Sequence, residues 1–197
     1  FMSYRRNVPT FNTIATILHD NGYKNTFFYG GWYGFDNMDI FAESNLMEMY
    51  YDKPEYESAE QRNAWGLLDE YMLLHSLEDI KTSDTTPRLD IYLTLTTHDP
   101  FKYPNQDEYI KKYNALPQKG KSISKTKENA SFLYADDCLR KFFCEYKKCK
   151  TFGNTIFIIT GDHKFNTKDK SNLIDNYHVP LIIWSPMLRE NHRFPAV

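Results

Sequence analysis

The chain has 197 residues and a formal net charge of −2, so its charge balance gives no electrostatic footprint for nucleic-acid binding. No apolar run approaches the length of a membrane span, and the first residues lack the apolar segment that a signal peptide needs. Aromatic residues make up 16% of the sequence, which is ample material for a hydrophobic core. These totals predict one globular domain or a large part of one.

The first half of the chain alternates between helical and strand patterns. Apolar periodicity predicts a helix over residues 10–21, and a short aromatic strand follows over 25–30. A second helical pattern begins near Asp36, whereas the tyrosine- and acid-rich residues 47–58 look irregular. Residues 60–80 repeat apolar side chains at helical spacing, which predicts a further helix.

The second half contains the strongest strand signals. Residues 89–97 form a predicted strand, and a proline-punctuated loop then leads into the lysine- and serine-rich stretch 118–127. Residues 128–149 are the clearest helix, and strands are predicted over 154–160 and 179–184. Helices that alternate with apolar strands indicate an α/β fold, with a mostly parallel sheet covered by helices on both faces. The expected buried stripe of the long helix consists of Phe132, Ala135, Leu139, Phe142, Phe143 and Tyr146.

The three cysteines, Cys138, Cys144 and Cys149, are predicted to share that long helix. Cys138 and Cys149 would lie about 16 Å apart along the helix axis, which is beyond the reach of a disulfide. Their spacing is also poor for a zinc site. We therefore expect free thiols that serve mainly in packing, which taken alone would indicate a reducing compartment.

Asp162 and His163 follow the strand over 154–160 directly after Gly161. Ligands of open α/β sheets bind beyond the carboxyl ends of strands, and a glycine permits the bend that turns two adjacent side chains toward one ion. The alternative is a polar turn in which Asp162 caps a helix and His163 lies at the surface. The dipeptide alone favours that turn, because two-residue motifs are weak signals.

His98 follows the strand over 89–97 in the same manner, within Thr-Thr-His-Asp-Pro-Phe. The expected topology places it on the same sheet edge as Asp162 and His163, which would give a shared cleft. Taken as a single residue, His98 fits a capped or solvated loop histidine better than a site residue.

A third candidate is the glycine-rich segment 29–38 after the first strand. Its glycines would let the backbone approach a ligand closely, and Trp32 and Tyr33 offer flat faces to a sugar or glycerol group. Asp36 could instead cap the following helix.

A series of short motifs runs through the chain in a fixed order. They are Gly-Tyr-Lys-Asn-Thr-Phe-Phe-Tyr-Gly-Gly at 22–31, Phe-Asp-Asn-Met at 35–38, Trp65-Gly66, Leu-Thr-Thr-His-Asp-Pro-Phe at 95–101, Tyr134-Ala135-Asp136, Ile-Ile-Thr-Gly-Asp-His at 158–163, and Tyr-His-Val-Pro-Leu-Ile-Ile-Trp-Ser-Pro at 177–186. Together they resemble the sulfatase-like catalytic domain of the lipoteichoic acid synthase and phosphoglycerol transferase group, in the alkaline phosphatase superfamily. The resemblance implies an alkaline-phosphatase-like fold that is incomplete at its N-terminus.

The same resemblance implies a metal-dependent transfer of a phosphoglycerol-type group, or a related hydrolysis of phosphate or sulfate esters. In that group a threonine attacks the phosphorus, activated by a divalent ion that is usually Mn²⁺, with Zn²⁺, Mg²⁺ or Ca²⁺ as other candidates. Asp162 and His163 match two of its metal ligands, and His98 matches a histidine that contacts the substrate or the leaving oxygen. The expected substrate-binding residues are His98, Trp32, Asp36, Asn37 and Lys164.

The chain also departs from the group. Its threonine nucleophile and glutamate ligand belong upstream of the helix over 10–21, and only nine residues precede that helix. We therefore expect residues 1–197 to be the C-terminal portion of a single sulfatase-like catalytic domain that is inactive alone. Lys164 stands where glycine is common, and Asp36-Asn37 stands where relatives place aromatic or basic contacts.

Two other functions remain open at this point: a sulfatase that acts on sulfated glycans, and a non-catalytic envelope-binding domain of the same fold. The expected partners are a phosphoester, a lipid-linked substrate or a sulfated glycan, with no nucleic acid. The resemblance places the parent protein at the extracytoplasmic face of the cytoplasmic membrane, anchored by upstream helices. The free cysteines are weak evidence against this location, because free thiols are typical of a reducing compartment.

Overall fold

The computed structural model describes residues 11–51, 59–82, 86–117, 125–163, 177–190 and 192–193. The chain divides into two compact units, Phe1–Tyr146 and Lys147–Val197. In the described part of the chain, no helix is both long enough and apolar enough to cross a membrane.

The first unit contains five helices and five strands within the described ranges. The helices are α1 (Ile14–Asp20), α2 (Met38–Ser44), α3 (Asp69–Thr82), α4 (Gln106–Ala115) and α5 (Thr126–Tyr146). The strands are β1 (Lys24–Tyr29), β2 (Glu48–Tyr51), β3 (Arg62–Asn63), β4 (Gly66–Leu67) and β5 (Arg88–Leu93). Strand β1 lies at the centre of a parallel sheet with the order β2-β1-β5.

One face of this sheet is covered by α1 and α2. Phe27 and Tyr29 are buried on that face together with Ala15 of α1, and the ring of Phe41 in α2 lies 6.0 Å from that of Phe27. Helix α1 begins at a capping box, in which the Thr13 hydroxyl accepts from the backbone N–H of Thr16 and the Thr16 hydroxyl accepts from that of Thr13.

The opposite face is covered by α3 and α5. Phe28 is fully buried there and stacks on Tyr92 of β5, with 4.7 Å between ring centroids. Tyr92 in turn packs against Phe142 of α5 and donates a hydrogen bond from its hydroxyl to Ser76 of α3. A parallel sheet with helices on both faces is what the alternation of patterns predicts, and this prediction is confirmed.

The prediction that residues 47–58 are irregular is wrong for its first part, because β2 pairs in parallel with β1 from Glu48 to Tyr51. Residues 52–58 lie outside the described residues. An edge strand is buried on fewer sides than a central one, so it does not need the continuous apolar run that identified β1. Its tyrosines favour a strand, but the neighbouring acidic residues obscured that signal.

The helix predicted over residues 60–80 is shorter than expected. The antiparallel pair β3–β4 occupies its first part, and α3 begins only at Asp69. The physical reason is Gly66, whose φ of 140° lies in a region that favours glycine and is incompatible with a helix. The loop predicted after residue 97 likewise contains α4, in which Tyr109 alone is buried, so no apolar stripe announces the helix.

Helix α5 is present, but the predicted stripe is partly wrong. Phe132 is 45% exposed, whereas buried positions recur at every fourth residue. Phe142 and Tyr146 of the predicted stripe belong to this row, but its other members are small or polar-tipped side chains, which the search for large apolar residues passed over. The buried residues are Ala130, Ser131, Tyr134, Cys138, Phe142 and Tyr146.

All three thiols are free, as predicted. Cys138 is a buried packing residue, Cys144 is exposed, and Cys149 lies beyond the end of α5.

The second unit contains β6 (Phe157–Thr160) and β7 (Leu181–Trp184), which pair antiparallel with Phe157 opposite Trp184. The rings of Phe152, Phe157 and Trp184 lie within 6.0 Å of one another. Both predicted strands of this region therefore exist, although β6 begins three residues later than expected because Phe152–Asn154 forms a 3₁₀ helix.

Candidate active site

The loop after β5 carries His98, and its first residues are held by Asp69 at the start of α3. The Asp69 carboxylate accepts a hydrogen bond of 2.8 Å from the Leu95 backbone N–H and bonds of 3.2 Å from that of Thr96. The Thr96 hydroxyl accepts in return from the Asp69 backbone N–H, at 3.1 Å. This reciprocal arrangement fixes the backbone two residues before His98.

Asp69 is buried to the extent that only 1% of it is exposed. Burial raises the pKa of its carboxyl group above the ordinary value, and the hydrogen bonds from Leu95 and Thr96 oppose that rise. Sequence reasoning did not identify Asp69. Aspartate favours the first turn of a helix, which is a sequence signal for this residue. The predicted helix, however, begins at residue 60, nine residues before α3, so Asp69 does not stand at its start.

The His98 side chain lies against Trp65. The two ring centroids are 4.2 Å apart with the rings inclined at 60°. The Trp65 indole N–H donates to the carbonyl oxygen of Asp99, and Nδ1 of His98 lies 3.1 Å from that same oxygen. Because a carbonyl oxygen only accepts, Nδ1 is the protonated nitrogen in this contact.

Trp65 also connects His98 with the segment after β1. The ring of Phe35 packs edge-on against Trp65, with 5.7 Å between centroids. The loops after β1 and β5, both predicted to carry site residues, thus meet through a tryptophan that the sequence marked only as part of a motif.

The glycines after β1 lie where other parts of the protein come close. Strand β4 passes so close that the Leu67 backbone N–H donates to the Gly30 carbonyl at 2.8 Å. A Cβ atom on Gly66 would stand 2.1 Å from that carbonyl oxygen, and one on Gly31 would stand 2.5 Å from the Tyr29 ring. Gly30 and Gly66 thus permit a close approach of protein backbone, and Gly31 leaves room for the Tyr29 ring.

Aromatic side chains make up most of the exposed part of segment 29–38. Trp32 is 65% exposed, and its ring centroid lies 6.1 Å from that of Tyr33. The helix cap considered for Asp36 is not formed, because the N-cap of α2 is Asn37, whose side chain makes no capping hydrogen bond. Both Asp36 and Asn37 adopt positive φ, and the charge of Asp36 adds to burial in raising the pKa of Tyr29.

Asp162 and His163 lie just beyond β6 and are both exposed. Oδ1 of Asp162 accepts from the His163 backbone N–H at 2.8 Å, and Oδ2 lies 3.6 Å from Nε2 of His163. Two neighbouring ligands at about 2.1 Å from one ion are about 3.0 Å apart in octahedral and about 3.4 Å apart in tetrahedral geometry, so a small adjustment brings this pair to two positions of one metal shell. Among the described residues, no three His, Cys, Asp or Glu side chains form a metal-binding group.

Asp162 and His163 belong to the second unit and His98 belongs to the first. The shared cleft between these residues stays a prediction. Lys164 lies outside the described residues.

The fold defines the class of protein. A solved structure of an alkaline phosphatase superfamily protein from Vibrio parahaemolyticus matches with a TM-score of 0.70 and 28% identity, covering 91% of this chain and 42% of that one. The lipoteichoic acid synthase LtaP from Listeria monocytogenes matches with a TM-score of 0.74 and 18% identity, covering 95% and 50%. The chain therefore has an α/β fold of the alkaline phosphatase superfamily.

The family follows from the sequence. The Sulfatase family profile matches residues 4–193, and the chain belongs to that family. It is 24% identical over 192 residues to the lipoteichoic acid synthase-like protein YvgJ of Bacillus subtilis, an alignment that covers 89% of this chain and 30% of the relative. The chain thus spans less than a third of the length of that relative.

Proposed function

We propose that this chain is part of a metal-dependent enzyme of the cell envelope that transfers a phosphoglycerol-type group or hydrolyses phosphate or sulfate esters. Membership of the Sulfatase family and similarity to lipoteichoic acid synthases support the reaction class. The observation that carries the proposal is the Asp162–His163 pair, which offers a carboxylate oxygen and an imidazole nitrogen 3.6 Å apart at the end of a strand.

Asp162 and His163 would hold the ion. A mixed carboxylate and imidazole set suits Mn²⁺ or Zn²⁺ better than Ca²⁺, and we propose Mn²⁺. A divalent ion there would neutralise charge on the transferring group and lower the pKa of an attacking hydroxyl. The remaining ligands and the nucleophile would come from sequence outside residues 1–197.

His98 would act on the ester oxygen that leaves. When its ring is neutral and Nδ1 donates to Asp99, Nε2 accepts a hydrogen bond, and when the ring is protonated Nε2 donates one. A protonated His98 could therefore transfer a proton to the leaving oxygen as a general acid. The exposed rings of Trp32 and Tyr33 would lie against the glycerol or sugar part of the substrate, with Asp36, Asn37 and Lys164 as further contacts.

The proposed location is the extracytoplasmic face of the cytoplasmic membrane, with anchoring by sequence outside residues 1–197. Similarity to lipoteichoic acid synthases supports this proposal, because the polymer in their name belongs to the cell envelope.

The test is a titration of the intact catalytic domain, including the sequence outside residues 1–197, with Mn²⁺, in which electron paramagnetic resonance measures the free ion. Asp162→Ala and His163→Ala should each weaken binding about tenfold or more, since each removes a direct ligand. Asp136→Ala is the matched control, because Asp136 is an exposed carboxylate on α5. Equal affinity in the wild type and the Asp162 variant would refute the metal assignment. Turnover of chromogenic phosphodiester and sulfate ester substrates would then distinguish the two ester classes.

A further inference from the structure

Hydrogen bonds and ring packing fix the position of Trp65 beside His98. Its backbone N–H donates to Oδ1 of Asn63 at 2.8 Å, and the next residue, Gly66, bridges to Gly31 at the end of β1. The tryptophan ring is held on its other side by Phe35. The indole therefore takes its position from the central strand of the sheet, whereas His98 lies on an exposed loop.

The carbonyl oxygen of Asp99 links the two side chains. This oxygen accepts from the Trp65 indole N–H and from Nδ1 of His98, and these two hydrogen bonds use both lone pairs of the oxygen. A neutral imidazole carries only one N–H, so a proton fixed on Nδ1 leaves the lone pair on Nε2. The edge contact at 4.2 Å also restricts rotation of the imidazole ring.

We propose that Trp65 is a positioning residue: it holds the His98 imidazole in its Nδ1–H form and directs Nε2 toward the ester. The tautomer and the ring orientation depend only on the contacts above. The use of Nε2 on an ester rests on the proposed function. The two parts can therefore succeed or fail separately, and they need separate measurements.

The first measurement is NMR of the His98 ring nitrogens at high pH in histidine-labelled protein, with His98→Gln to assign the signal. Wild type should show the Nδ1–H form. Trp65→Phe keeps an aromatic ring beside the imidazole but lacks the N–H donor that fixes the Asp99 carbonyl. The carbonyl is then free to turn away from Nδ1, so the population should move toward the Nε2–H form. Trp184→Phe is the control, because this tryptophan packs with Phe152 and Phe157 in the second unit. An unchanged tautomer in Trp65→Phe would overturn the proposal.

The second measurement is steady-state kinetics on a chromogenic ester, made on the longer protein that carries the proposed nucleophile. Trp65→Phe should lower kcat about three- to tenfold with little change in KM, as loss of one hydrogen bond that orients a reacting group would do. A rise in KM with unchanged kcat would contradict positioning of the leaving-oxygen contact. A tautomer shift combined with no ester turnover by the longer protein would support the role of Trp65 and refute the proposed function instead. Trp65→Leu, which removes the ring as well, should have the larger effect in both measurements.

Discussion

Replacement of Asp69 by alanine provides the sharpest test of how the His98 loop is held. The carboxylate is the acceptor for two backbone N–H groups, those of Leu95 and Thr96, and both of these residues are buried. Alanine removes the acceptor and leaves the two donors in an environment from which water is largely excluded. The bond from the Asp69 backbone N–H to the Thr96 hydroxyl does not involve the carboxylate and can persist.

The magnitude follows from those two donors. A buried donor that loses its partner costs about 1–3 kcal/mol, so two of them cost about 2–6 kcal/mol. Removing the carboxylate also removes the cost of burying a charge, which is seen in its raised pKa. We therefore expect the free energy of unfolding to fall by about 2–4 kcal/mol, toward the lower end of the hydrogen-bond estimate.

Urea denaturation followed by circular dichroism measures this change. The midpoint should move to lower urea, while the slope stays constant if the denatured state is unaffected. Asp136→Ala, on the exposed side of α5, should change the free energy of unfolding by less than about 0.5 kcal/mol. A loss below about 1 kcal/mol for Asp69→Ala would refute the reasoning, because it would mean that neither N–H depends on the carboxylate.

Two further predictions concern the same region. Because the pKa of Asp69 is raised, the folded protein holds this proton at a pH where the unfolded chain has released it. Wild type should therefore lose stability relative to Asp69→Asn as pH rises above the ordinary value of 3.8. Urea midpoints across that range measure the difference, and a gain in the relative stability of wild type would contradict the sign. Gly66→Ala should destabilise the protein by about 3 kcal/mol or more, or prevent folding, since its Cβ would meet the Gly30 carbonyl at 2.1 Å. Thermal unfolding measures this, with Gly153→Ala as the control because a Cβ there meets no atom within 4 Å. Equal melting temperatures for the two variants would refute the close approach.

The strands that lead into the candidate site could be predicted because their signals are local. Strands β1, β5 and β6 are short apolar or aromatic runs, and the structure places each within three residues of its predicted start. Strand β2 could not be identified in this way, because its pairing depends on the register it adopts against β1. Helix α4 was missed for a related reason: it buries one tyrosine, so its sequence shows charge rather than periodicity.

The same distinction separates the site residues. His98, Asp162 and His163 were found because each follows a strand in sequence, and that position can be read from neighbouring residues. Trp65 and Asp69 have partners 34 and 26 residues away, so their roles depend on tertiary structure. A search for chemically reactive residues finds the histidine, but it does not find the residues that orient it.

Trp65 and Asp69 lie four residues apart and hold the His98 loop at two different points. Asp69 holds the backbone at Leu95 and Thr96, and Trp65 holds the carbonyl oxygen of Asp99 just past the histidine. Both sit on a short segment that the Gly66–Gly31 bridge attaches to the end of β1. The geometry of an exposed histidine is therefore set by the central strand of the sheet through one intermediate segment. It follows that a substitution which loosens this attachment should change the orientation of the imidazole ring, even when the substituted residue does not contact that ring. The effect should be larger than that of a substitution elsewhere on the exposed surface of the loop.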